Sequence, residues 1–339
     1  MAVSKPDYSF PQKIWIAGGI IAFITIMIFL LRATFNVLLL ILAGALIAVY
    51  FRGLADLICR HSKLKQGACM AISIAGSILL LLFIFWMIGA KLQDQINSLT
   101  ETLPTTIENA RNRLNETSLG KKLVEKLSSP QAQKDAEMMA GNLFKSTFGV
   151  LGDIYVILFI GIFFTVSPKL YTKGIVMLAP PSKQKKTDDV LNKIAANLKK
   201  WLKGQLFAML VVMILTAGGL LAIGMPMWLA LAVIAGLLNF IPNFGPIIAM
   251  IPAVLIGFMD GPSTALLVAG LYILIQVIES NFITPMVQQK LVSIPPALII
   301  IAQLLIAPLT GAWGLVLATP LMVICIVLVK ELYINNRSR

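Results

Sequence analysis

Charge is scarce in this chain. Only 13% of its 339 residues are Asp, Glu, Lys or Arg, with 15 carboxylates against 28 basic side chains. Between Gly204 and Val329 the carboxylates are Asp260 and Glu279 alone, and the one basic residue is Lys290. So little charge, with 58% hydrophobic residues and a mean hydropathy of +0.88, exceeds what one soluble core could hide. One histidine, His61, and three cysteines, Cys59, Cys69 and Cys325, provide no metal-ligand cluster and no disulfide framework. They are expected as isolated groups, with no metal or cofactor. No nucleophile elbow is present, and Asp260 and Glu279 lack the partner arrangement an enzyme would need. The alternation of an outer-membrane barrel is missing too. An all-α, polytopic helical membrane protein remains.

The net charge of +13 is spread over segments that flank the apolar runs. It reads as topology signal and lipid contact, not as a nucleic-acid surface. Residues 1–90 hold three expected spans, Ile14–Leu31, Ala33–Phe51 and Ala68–Ala90, the first two joined at Arg32. Arg52, Arg60, Lys63 and Lys65 then mark a cytoplasmic loop, which places the N-terminus on the same side. Residues 91–146 read as an amphipathic helical module outside the membrane. Leu92, Ile96, Leu99 and Leu103 recur at helical spacing before Pro104, and the stripe resumes at Ile107, Ala110 and Leu114. The module packs on itself or on a neighbouring subunit.

Residues 147–166 form a fourth span and 167–204 a basic cytoplasmic segment. Within the latter, Thr187 or Asp188 can cap a helix whose Leu191, Ile194, Leu198, Trp201 and Leu202 share one face. Lys193, Lys199, Lys200 and Lys203 flank that face. The helix is expected to lie on the inner leaflet against anionic headgroups. Residues 205–330 form a core with interrupted helices, and 331–339 a cytoplasmic tail that carries Arg337 and Arg339. About eight transmembrane elements result.

The interruptions point to a site. After a plain span over Gln205–Ile223, the string from Asn239 through Phe240, Ile241, Pro242, Asn243, Phe244 and Gly245 to Pro246 breaks the apolar run Met227–Met259. Freed backbone groups at membrane depth need protein or a wet cavity around them. Pro295, Pro296, Pro308, Gly311, Gly314 and Pro320 repeat the theme. Each break is either a re-entrant hairpin that holds a solute or a proline kink that shapes packing. One wall of a polar cavity is expected from Asn239, Pro242, Asn243 and Gly245, and the other from Gln276, Glu279 and Asn281. A carboxylate near the bilayer centre costs about 2.5–3.5 kcal/mol on insertion scales, so Glu279 is the candidate for binding a proton or sodium ion. Its other reading is an interfacial group or a structural partner of Lys290. Gln303, alone among apolar neighbours, lines the same cavity or bonds across helices.

The run Phe240–Pro246 with Ile251-Pro252-Ala253 resembles the central signature of the AI-2E family of bacterial membrane proteins. Gln276, Glu279, Asn281 and Pro285 are similar to it in order and spacing. So are Gly311-Ala312-Trp313-Gly314-Leu315, Ala318-Thr319-Pro320 and Trp201-Leu202-Lys203-Gly204-Gln205. Gln289, Ser293 and Pro295 stand where the family often has glycines and a histidine. The resemblance implies a secondary transporter of the bacterial inner membrane, with about eight spans, cytoplasmic termini and a homo-oligomeric state. It also implies a small polar solute such as the quorum signal autoinducer-2 for export, or sodium or lithium exchanged for protons. A passive channel and a membrane scaffold are the rival classes.

Overall fold

The structure is a computed structural model that describes residues 10–86, 89, 149–283 and 295–335. The module expected over 91–146 lies outside the described residues, as do Pro285, Gln289, Lys290, Ser293, Arg337 and Arg339. Every regular element among the described residues is helical.

The first element, α1, is one helix from Phe10 to His61. This corrects the expected pair of spans joined at Arg32. The connecting string Arg32-Ala33-Thr34-Phe35-Asn36 holds neither proline nor glycine, so nothing interrupts the backbone hydrogen-bond ladder. The rod's 52 residues are about 78 Å long, more than twice the hydrocarbon thickness of about 30 Å. Its two ends lie far apart, so the hairpin argument that put the N-terminus beside the basic 62–65 turn no longer holds. A tight turn leads to α2 (Gln66–Trp86), tied back to α1 by Ser73 Oγ donating to the Phe51 carbonyl at 2.8 Å. Cys59 and Cys69 are joined as a disulfide across this turn, Cα atoms 5.7 Å apart, which corrects the expectation of isolated thiols. Their ten-residue separation did not betray a turn that folds the helix ends together. Cys325 remains a free thiol.

The next helix, α3 (Gly149–Val166), meets α1 through paired glycines. A Cβ on Gly44 would lie 2.5 Å from Ile160 Cγ2, and one on Gly161 would lie 2.7 Å from Ile47 Cγ2. Small residues allow this approach where lipid offers no hydrophobic drive between helices. Gly161→Leu should wedge α1 from α3 at a cost of about 1–3 kcal/mol, read as a lower thermal midpoint of the purified protein.

After α4 (Pro168–Met177) and a 3-10 turn at Pro181–Lys183 comes α5, a single helix from Gln184 to Ile223. This revises three expectations. The helix begins before Thr187 and has no side-chain cap; Thr187 Oγ1 instead donates to the Lys183 carbonyl at 3.1 Å. The segment up to Gly204 is continuous with the span that follows. Its face does not lie on lipid, because Leu198, Trp201 and Leu202 are buried in a core with Leu39, Ala43 and Leu46 of α1 and Ile157 of α3. The amphipathic pattern was correct, and the protein itself is what covers it. Lys193 and Lys199 also have carboxylate partners, Glu331 at 2.6 Å and Asp56 at 3.0 Å.

The C-terminal half folds into three hairpins. The short α6 (Trp228–Leu238) runs back along α5, then α7 (Phe244–Asp260) reverses, and α8 (Pro262–Ile278) returns before a π-helical turn at Glu279–Ile283. The eleven residues of α6 are too few to span a bilayer alone, and α6 with α7 forms a hairpin. Leu220, Leu231, Ala253, Val268 and Tyr272 form the second core, between α5 and these helices. Finally α9 (Pro296–Thr310) and α10 (Ala312–Leu328) fold back on each other at Gly311, whose φ of +67° explains the glycine there. Pro252, Pro308 and Pro320 sit inside helices, so the second interruption is a glycine turn with proline kinks on either side. By length and composition six helices could cross a membrane, with three shorter apolar helices beside them, among the described residues.

Candidate functional site

The tip of the α6–α7 hairpin is where the chain leaves helical geometry. Pro242 cannot donate a backbone bond, and Asn243 takes a φ of +69°, a conformation that asparagine tolerates better than most side chains. The turn is closed by Ile241 N donating to the Leu238 carbonyl and Gly245 N to the Ile241 carbonyl, both at 2.9 Å. A Cβ on Gly245 would collide with the Leu238 carbonyl, so only glycine fits this return. Phe240 packs edge-on against Trp201 of α5 with ring centres 5.7 Å apart, which seats the tip near the basic end of α5.

Amides surround the tip, with Gln303 buried, Gln205 half-buried and Asn243 exposed. Gln205 Nε2 of α5 donates to the Asn239 carbonyl at 2.7 Å. From α9, Gln303 Nε2 donates to the Pro242 carbonyl at 3.0 Å, and Gln303 Oε1 accepts from Asn243 Nδ2 at 3.4 Å. Gln303 has no exposed surface, so each bond replaces water. Thus Asn239, Pro242, Asn243, Gly245 and Gln303, singled out in the sequence, come together, and Gln303 both bonds across helices and borders the site. Gln205 was missed as a participant. A glutamine that opens an apolar run was the available signal.

At the tip Asn239 Nδ2 is buried without a partner among the described residues, and so is Thr319 Oγ1 on α10. Gln303 precedes Gly311 by as many residues as Thr319 follows it, so the two are level in the α9–α10 hairpin. An unsatisfied buried polar group costs about 1–3 kcal/mol. A free amide donor beside bonded amides can be satisfied by water or by a small hydroxyl-bearing solute.

The second expected wall is a local cluster at the end of α8. Gln276 Nε2 donates to Glu279 Oε2 at 3.3 Å and to Ser280 Oγ at 3.1 Å. Gln276 and Glu279 are half-buried and share a face, as their spacing predicted. Glu279 opens the π-helical turn, a departure from regular helix often found at functional positions. Asn281 is exposed and donates to the Val277 carbonyl at 2.8 Å, so its amide is spent on its own helix. Elsewhere Asp153 Oδ2 accepts from Trp313 Nε1 at 2.6 Å and ties α3 to α10, a contact that sequence reading did not anticipate.

Long apolar helices and a short hairpin with bonded amides at its tip define a polytopic membrane protein with a polar cluster between its helices. The chain belongs to the AI-2E transporter family, whose model, described as AI-2E family transporter, matches residues 19–334. It is 30% identical over 152 residues to "Putative transport protein YrrI" of Bacillus subtilis (strain 168), a match covering 45% of this chain and 43% of the relative. YueF of the same organism, named likewise, is 29% identical over 160 residues, covering 47% of this chain and 42% of the relative. YhhT of Escherichia coli (strain K12), also so named, is 27% identical over 108 residues, covering 32% and 31%. The chain therefore spans less than half the length of the curated relatives it matches.

Proposed function

We propose that this protein is a permease that passes a small, neutral, hydroxyl-rich solute across the bacterial inner membrane by way of the α6–α7 tip. The observation that carries this reading is the set of amide bonds of Gln205, Asn243 and Gln303 around the tip that also holds the unpartnered Asn239 Nδ2. Such groups recognise hydroxyls and carbonyls without demanding charge. Autoinducer-2, a polyhydroxylated signal, is the solute that family membership favours, moved outward by a homo-oligomer. The test compares extracellular and intracellular metabolites in deletion and overexpressing cells while sodium and proton gradients are varied. Accumulation of one polar metabolite inside deletion cells supports the reading. Identical pools in all strains would end it.

Glu279 favours ion coupling as part of the same mechanism, because a half-buried carboxylate held by Gln276 at a π-helical turn can alternate between a bound cation and a proton. Glu279→Gln keeps the hydrogen bonding and removes the charge. Proteoliposome flux should fall about five- to a hundredfold under a gradient and lose its pH dependence. Unchanged flux and pH profile would leave a passive pore.

A further inference from the structure

A recess, less than two helical turns along α5 from Gln205, lies where basic stretches of α1 and α5 meet the start of α2. It has a volume of about 260 Å³ and is bordered by Arg52 and Asp56 of α1, Gln66 and Met70 of α2, and Lys199 of α5, with Val49 among its apolar walls. That volume suits a headgroup or a small ester, not a whole drug-sized molecule.

Its charges are not equivalent. Lys199 and Asp56 pair at 3.0 Å, and each neutralises the other. Arg52 is half-buried, and its Nε donates at 3.1 Å to the carbonyl of Thr165, a fully buried residue of α3. This bond fixes the guanidinium plane while leaving both Nη groups without a protein partner among the described residues. A planar fork held this way matches two oxygens of a phosphate, a geometry that lysine does not reproduce. Arg60, Lys63, Lys65, Lys200 and Lys203 are exposed on the flanking segments and raise the local positive potential. The recess also sits where the apolar stretches of α1 and α5 give way to charge, a sequence boundary that suits lipid headgroups.

We propose that this recess binds a phosphate-bearing anion through the Nη groups of Arg52. The phosphate belongs either to an anionic lipid headgroup or to a soluble phosphate ester. Binding would pin α1 to α5 near their basic ends, because ligand contacts on Arg52 and the Lys199–Asp56 pair span both helices.

The test uses the full chain purified in maltoside detergent, with thermal unfolding followed as dihexanoyl phosphatidylglycerol or glycerol 3-phosphate is added. Stabilisation of the wild type by the lipid alone assigns the phosphate to a headgroup, and equal stabilisation by glycerol 3-phosphate assigns it to a soluble ester. Arg52→Gln should weaken the apparent affinity at least tenfold, with Arg52→Lys recovering only part of it. Ala196→Leu, which fills the recess from α5 and leaves Arg52 in place, should weaken it likewise and serves if Arg52→Gln does not fold. Lys200→Gln should titrate within twofold of wild type. Wild-type affinity in the recess variants, or no stabilisation of the wild type by either compound, would overturn the proposal.

Discussion

Gly245→Ala should cost more stability than other single-methyl additions to this protein. The new Cβ would press into the Leu238 carbonyl, which is backbone and already accepts a bond from Ile241 N. A flexible side chain could swing aside, but this atom can yield only if the turn opens. Overpacking of this kind typically costs about 1–3 kcal/mol, and here it also threatens the bonds that close the tip. A clear drop in thermal midpoint is expected, together with loss of flux in proteoliposomes. Gly53→Ala is the control, since a Cβ there meets nothing within 4 Å and the site lies on another helix. Equal midpoints for the two variants would show that the tip does not depend on this close approach.

Gln303→Leu should separate fold from transport. Leucine fills a similar volume within the α9 face but leaves the Pro242 carbonyl and the Asn243 amide without their partner. Each orphaned group costs about 1–3 kcal/mol unless water reaches it. The variant should still assemble, because Ile299, Leu317 and Val323 hold the α9–α10 hairpin in the larger core. Flux of the polar solute should fall more than tenfold, in line with about 1.4 kcal/mol or more of lost recognition. Gln303→Asn, with a shorter amide, should recover part of it. Full flux in Gln303→Leu at normal expression would remove this residue from the pathway.

Much of this architecture was readable in residue types whose effect is local. Pro242 and Gly245 mark a break because a missing amide donor and a missing Cβ act on the adjacent backbone, and the tip lies where they stand. Glu279 and Gln276 share a face because three residues nearly complete a helical turn. What stayed hidden was set by distant segments. Whether the face of Leu198, Trp201 and Leu202 met lipid or protein depended on α1 and α3, some 40 to 160 positions earlier in the chain. The Cys59–Cys69 bond needed a turn that no spacing rule specifies. Gln205 gave little warning because one polar residue at the head of a span is as easily an interfacial group as a ligand. Apolar runs also hid the continuity of α1, since hydropathy measures length in lipid and says nothing about whether a helix stops.

The unbroken course of α5 has a mechanical meaning. Lys199, paired with Asp56, and Gln205, bonded to the α6–α7 tip, lie midway along the same stiff rod, less than two turns apart. A small roll of that rod, resisted by Asp56 and Glu331, would swing the Gln205 amide away from the Asn239 carbonyl. Ionic clasps at the rim and the grip on cargo within would then open and close as one lever, with no hinge needed between them.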